Sequence, residues 1–165
     1  MMVAMTDISI EHARDADLAE IMRDYERFWG DKDVPRMLHH PMFFVEFGDT
    51  AFVARASGTR DSGSGEIAGY LLGFVAPTGD GYIHLIAVRD DARTLGVARS
   101  LYQIFERVAR ERGAVALKAI TSKENEGSMA FHRRMGFTEM TQVENYGGAG
   151  RTRVVMRKPL AQRPS

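Results

Sequence analysis

Residues 82–108, YIHLIAVRDDARTLGVARSLYQIFERV, pass from an apolar strand through a polar turn into an amphipathic helix. Alternation along the strand places Tyr82, His84, Ile86 and Val88 on one face. In the helix Val97, Leu101, Ile104, Phe105 and Val108 make one stripe, and Gly113 closes it. The first amides of such a helix have no intrahelical acceptor and carry the positive end of its dipole, so they form an anion site. Gly96 allows a close approach to the backbone, and Arg93 and Arg99 add charge. A phosphate or pyrophosphate suits such a site; the alternative is a capped helix after a charged loop. There is no GxxxxGKS/T for a triphosphate and no GxGxxG for a dinucleotide.

Punctuation sets the remaining elements. Ile8 to Glu11 reads as a strand, Asp15 to Trp29 as a helix with Asp15 at its N-cap, and Val34 to His39 as a short helix. Strands follow at Thr50 to Ala56 and Ile67 to Val75, joined by a hairpin loop over 57–65. After a turn at 77–81 come the strand Tyr82 to Val88, a polar loop and the helix Val97 to Arg112. Val115 to Thr121 is a strand, Ser128 to Met135 a helix, and Phe137 to Val143 and Arg153 to Arg157 are strands. This order predicts an α/β (α+β) fold, a mixed central sheet flanked by helices, and neither a bundle nor a sandwich.

At 165 residues the expectation is one domain, with a core of about 6–160 and a short flexible C-terminal tail. The 22 basic and 22 acidic side chains cancel, which argues against nucleic acid or anionic lipid held by bulk charge. The absence of cysteine removes disulfides, thiolate metal sites and a cysteine nucleophile. The N-terminal stretch does not read as a secretory signal and no apolar run nears the ~20 residues of a membrane span, so a cytoplasmic location is expected. His39 and His40 are adjacent but have no third ligand at suitable spacing, so no metal is expected.

A second informative stretch is NEGSMAFHRRMGF, 125–137. A helix there puts Asn125, Ser128 and His132 on one face and leaves Met129, Phe131 and Met135 for the core. Alone it is an ordinary amphipathic helix.

Together the two stretches resemble the GCN5-related N-acetyltransferase (GNAT) superfamily. Arg93-Thr94-Leu95-Gly96-Val97-Ala98 matches that family's pyrophosphate motif, Gln/Arg-x-x-Gly-x-Gly/Ala, with Val88 five residues before it. Asn125, Ser128, Phe131, His132, Gly136 and Phe137 match the family's second pattern, and the element order agrees from residue 8 to 158.

The resemblance implies an acyl-CoA N-acyltransferase fold with splayed strands, acetyl-CoA as cofactor, and direct transfer of acetyl to a primary amine. Arg93 and the amides of Leu95, Gly96, Val97, Ala98 and Arg99 would hold the pyrophosphate. The backbone of Ile86, Ala87 and Val88 would pair with the pantetheine arm, and Asn125 and Ser128 would contact the cofactor. An alkylammonium, with a reference pKa of about 10.4, must lose a proton before attack, and His84 is the candidate base. His132 stands where the family commonly has the tyrosine that serves the departing thiolate, so it is the candidate acid. Trp29, Phe43, Glu46 and Tyr82 are candidates to line the acceptor pocket. The expected acceptor is a small molecule or amino acid; the alternatives are a peptide or protein amine, a non-catalytic CoA-binding module, or a structural domain with an empty anion site. A homodimer is common in the family.

Overall fold

The computed structural model describes residues 7–57 and 65–161. Residues 58–64 of the expected hairpin loop, residues 1–6 of the stretch read for a secretory signal, and the last four residues of the expected tail lie outside the described residues.

In chain order the elements are β1 (Ile8–His12), α1 (Asp15–Arg23), α2 (Glu26–Trp29), a 3-10 segment (Val34–Leu38), α3 (Met42–Val45), β2 (Phe52–Ala56) and β3 (Glu66–Val75). Then come β4 (Asp80–Val88), a second 3-10 segment (Asp90–Leu95), α4 (Val97–Glu111), β5 (Ala116–Ser122), α5 (Glu126–Arg134), β6 (Glu139–Val143) and β7 (Arg153–Pro159). The strands form one sheet of order β1-β2-β3-β4-β5-β7-β6. β1–β2, β2–β3, β5–β7 and β6–β7 are antiparallel, and β4–β5 is parallel. The mixed, helix-flanked sheet expected from the element order is therefore present.

By backbone proximity the chain falls into two compact units, Met1–Gly73 with Leu85–Phe105 and Phe74–His84 with Glu106–Ser165. In the first unit Ile21, Phe52, Tyr70, Leu71, Leu101 and Phe105 are fully buried. Each such side chain contributes about 1.5–3 kcal/mol by leaving water. The predicted stripe of α4 appears there as Val97, Leu101 and Phe105, joined by Tyr102, while Ile104 is half-buried. Gly69 of β3 makes this packing possible. A Cβ at that position would lie 2.7 Å from Val97 Cγ1 and 3.0 Å from the Ala87 carbonyl oxygen, so only glycine lets β3 sit under the start of α4. In the second unit Leu117, Phe137 and Met156 form the buried centre.

Several local expectations change. The helix predicted over Asp15 to Trp29 breaks at Asp24 and Tyr25 into α1 and α2. Tyr25 turns inward, is 2% exposed, and donates its hydroxyl to the Lys32 carbonyl, which a continuous helix would not allow. The N-cap of α1 is Arg14, not Asp15, and its amide donates to the Asp17 carboxylate at 2.7 Å. Val34–Leu38 is 3-10 and not α-helical, and the loop before α4 contains a 3-10 segment too. The helix expected to begin at Ser128 begins at Glu126. Met37 and Met42 are exposed.

The β4–β5 ladder pairs Asp80–Ile83 with Ala116–Ala119, whereas β4 continues to Val88. Ile86, Ala87 and Val88 thus lie past the last paired residue of that ladder.

Candidate active site

In the first unit β4 ends at Val88, and the amide of Arg89 donates to the Ala68 carbonyl at 2.9 Å. The chain then makes the 3-10 segment and reaches Gly96 with φ +72°, a left-handed conformation that strains any other residue. Apart from Gly96 and its chain neighbours, no atom lies within 4 Å of where a Gly96 Cβ would be, so the backbone faces open space there. The α4 ladder opens with the Ser100 amide donating to the Gly96 carbonyl. The amides of Val97, Ala98 and Arg99 precede that first bond and head the helix. Val97 is buried, Ala98 half-buried, and Leu95 and Arg99 are exposed.

The positive charge expected around this turn is distributed differently. Arg89 is buried, and its guanidinium is shared between Glu66 (2.8 Å) and Asp91 (2.9 and 3.1 Å). Arg27 of α2 bridges the same two carboxylates at 3.2 and 3.4 Å. Burial pushes the Asp91 carboxyl up, but the hydrogen bonds and charge of Arg89, followed by those of Arg27, hold it below its usual range. Arg93 is exposed and paired with Asp90 at 2.7 Å. The basic run from Arg89 to Arg99 is thus largely answered by carboxylates, which leaves Arg99 and the helix amides as the positive features of the cradle.

Three of the candidates for the acceptor wall, Trp29, Phe43 and Glu46, belong to the first unit. Trp29 is half-buried and donates its indole N–H to the Tyr70 hydroxyl at 2.7 Å. That hydroxyl lies 2.7 Å from His39 Nε2, and His39 Nδ1 lies 2.7 Å from the Pro35 carbonyl. A carbonyl accepts only, so in the neutral imidazole Nδ1 carries the hydrogen and Nε2 accepts from Tyr70. Burial pushes the Tyr70 hydroxyl pKa up, and the Trp29 hydrogen bond only partly offsets this. Phe43 is buried at 3% exposure, and its ring lies 6.1 Å from that of Phe47. Glu46 is exposed.

In the second unit Tyr82 and His84 are half-buried, and β4 alternates so that Tyr82, His84, Ile86 and Val88 share the less buried face. Tyr82 stacks at 5.3 Å on Phe74, and burial, then Tyr146, pushes its pKa up. Asn125 stands just before the first residue of α5 and beside Ser128. It is the N-cap of α5, its Oδ1 accepting the Ser128 amide at 3.1 Å. His132, expected on the polar face, is 5% exposed, while Met129, Phe131 and Met135 are only half-buried. Its ring meets Phe137 and Phe131 edge-on at 4.9 and 5.4 Å. Its Nδ1 lies 2.7 Å from the Ser128 carbonyl and 3.3 Å from the Ser128 hydroxyl. Burial lowers its pKa, partly offset by the Ser128 bond, so the neutral imidazole is favoured.

The model of the Acetyltransferase (GNAT) family matches residues 16–137. This chain belongs to that family. The fission yeast Schizosaccharomyces pombe protein "N-alpha-acetyltransferase 30" is 33% identical over 66 residues, 40% of this chain. The chain spans only 44% of that relative's length. The NatC complex bound to Gag peptide and CoA contains a chain similar in fold, at TM-score 0.72 and 18% identity, with coverage of 94% of this chain and 99% of the other. Nourseothricin acetyltransferase is 26% identical, with TM-score 0.53 over 66% of this chain and 64% of its own. All three carry acetyltransferase chemistry in their names or belong to complexes that hold CoA.

Four residues of consequence escaped the sequence reading. Tyr70 and Gly69 lie inside an apolar run, which gives no sign that a hydroxyl or a missing Cβ matters there. Arg89 looks like part of a basic turn until its carboxylate partners, one of them 23 residues away, are placed. His39 stood out only as one of an adjacent pair. No helix among the described residues is long and apolar enough to cross a membrane, and no metal-holding cluster is found among them.

Proposed function

We propose that this GNAT chain is an acetyl-CoA-dependent N-acetyltransferase that moves acetyl directly to a primary amine. The support that weighs most is the cradle: Gly96 in the left-handed region, open space around it, and the amides of Val97, Ala98 and Arg99 heading a 15-residue helix. These donors suit a pyrophosphate, so the residues present fit CoA. When bound, acetyl-CoA supplies an activated acyl thioester and a thiolate leaving group. Leu95, Gly96, Val97, Ala98 and Arg99 hold the pyrophosphate in this reading, with Arg93 beside them. The backbone of Ile86, Ala87 and Val88, beyond the β4–β5 ladder, pairs with the pantetheine arm. Asn125 spends Oδ1 on its cap and keeps its two amide hydrogens as donors, and Ser128 contacts the same arm.

His84 takes the proton from the acceptor ammonium, which must be neutral to attack. His132 is the proposed donor to the departing thiolate. With Nδ1 committed to the Ser128 carbonyl, that proton leaves from Nε2 of the cationic form, which burial makes scarce at neutral pH. Trp29, Phe43, Glu46 and Tyr82 are the residues proposed to contact the acceptor.

For the amine itself, a peptide or protein N-terminus is favoured by the relatives named above, an N-alpha-acetyltransferase and a complex bound to a peptide. A small molecule or free amino acid is the second reading, favoured by the likeness to nourseothricin acetyltransferase. The test is thiol release from acetyl-CoA over a panel of short peptides, amino acids and polyamines. Turnover confined to one class assigns the acceptor; failure of acetyl-CoA to bind at millimolar concentration removes the proposal.

A further inference from the structure

The cofactor cradle depends on a turn that is tied down from behind. Arg89 is anchored twice: its amide to Ala68 of β3, and its guanidinium to Glu66 at the start of β3. The same guanidinium grips Asp91 with two nearly parallel bonds, the geometry that best fixes a carboxylate in orientation as well as in distance. Arg27 closes the ring from α2 by touching both carboxylates. Ala92, buried at 1% exposure, donates its amide to the Arg89 carbonyl, so the turn is pinned before it reaches Gly96. Two cations and two anions make the ring neutral, so it contributes little net attraction for a polyanion. Its effect is to hold the loop in shape.

We propose that Arg89, acting through Asp91, is a positioning residue that preorganises the 93–99 loop for the cofactor pyrophosphate. This rests on the reading of that loop as the CoA cradle. A loop held in its binding conformation loses less entropy on binding, and the gain appears as affinity for CoA rather than as rate of chemistry. Removing Arg89 also leaves Glu66 and Asp91 with less countercharge near the cradle, which opposes a polyanion in the same direction.

The experiment measures CoA binding by calorimetry, and KM for acetyl-CoA and kcat by thiol release, for wild type, Asp91→Asn and Arg89→Met. Circular dichroism and melting without ligand report the fold. Asp91 has a 58% exposed side chain, so Asp91→Asn is the variant that keeps the fold if Arg89→Met does not. The expected result is a Kd and a KM for acetyl-CoA raised about tenfold in Asp91→Asn, with kcat at saturating acetyl-CoA unchanged. Arg89→Lys, which keeps the charge but cannot bind in a fork, falls between wild type and Arg89→Met. Wild-type affinity in a folded Asp91→Asn, or a fall in kcat without a change in KM, overturns the inference. A wild-type protein that binds no CoA overturns the underlying reading instead.

Discussion

His132 holds its Nδ1 2.7 Å from the carbonyl oxygen of Ser128, one helical turn back, and its ring stands edge-on to Phe137. This bond assigns the Nδ1 hydrogen of the neutral imidazole, and burial, which outweighs the opposing effect of the bond, favours that neutral form in the folded protein. Its pKa is lowered from 6.5 by burial, while an unfolded chain would protonate it at its ordinary value. The unfolded state therefore binds the proton more readily, and the contribution of His132 to stability is full above about pH 6.5 and lost as pH falls through the lower folded value. The slope is bounded by one proton, about 1.4 kcal/mol per pH unit. Melting temperatures at pH 7.5 and 5.5 check this. Wild type is expected to lose more stability between them than His132→Phe.

His84 carries the proposed proton abstraction. His84→Ala is expected to lower kcat/KM for a confirmed amine about a hundredfold at neutral pH, with acetyl-CoA affinity retained. Part of the loss should return at high pH, where the free amine is abundant. Unchanged turnover at pH 7 removes His84 as the base.

Gly96→Val places a β-branched residue at φ +72° and a side chain in the open face of the cradle. The strain costs about 1–2 kcal/mol, which a folded domain of this size withstands. Acetyl-CoA at a hundred times its wild-type Kd should stabilise wild type by about 2.7 kcal/mol and leave the variant unmoved. A wild-type shift in Gly96→Val removes the anion-site assignment.

Tyr70→Phe deletes one hydroxyl that serves both Trp29 and His39. Buried His39 and half-buried Trp29 lose their shared partner, so the expected loss is about 1–3 kcal/mol in urea denaturation, more than removal of a singly bonded hydroxyl. A loss below 0.5 kcal/mol (about the lower bound for a single bond) contradicts the chain of hydrogen bonds.

Gly69→Ala tests the seat of α4. Its Cβ would meet Val97 Cγ1 at 2.7 Å, and the Ala87 carbonyl oxygen at 3.0 Å cannot rotate away. The expected cost is about 1–3 kcal/mol, with weakened acetyl-CoA binding because the first turn of α4 must move. Native stability with native affinity in this variant removes the role of the contact.

Local periodicity and punctuation were enough to read β4, the glycine before α4, and the α4 stripe, because those patterns repeat within one or two turns of chain. The same local rules read Asp15 to Trp29 as one helix, since its apolar spacing is continuous; the break follows from Tyr25 finding the Lys32 carbonyl. They put His132 on one face with Asn125 and Ser128, since the spacing is helical; its burial comes with the edge-on contact to Phe137, beyond Gly136. By those rules Arg89 is only part of a polar turn, since its partner Glu66 is distant in sequence. Side-chain spacing announces which face is apolar, and it carries the element order and the family motifs with it. Partners separated by tens of residues are chosen when the sheet assembles, and burial then decides which charges are neutralised and which imidazole keeps its proton.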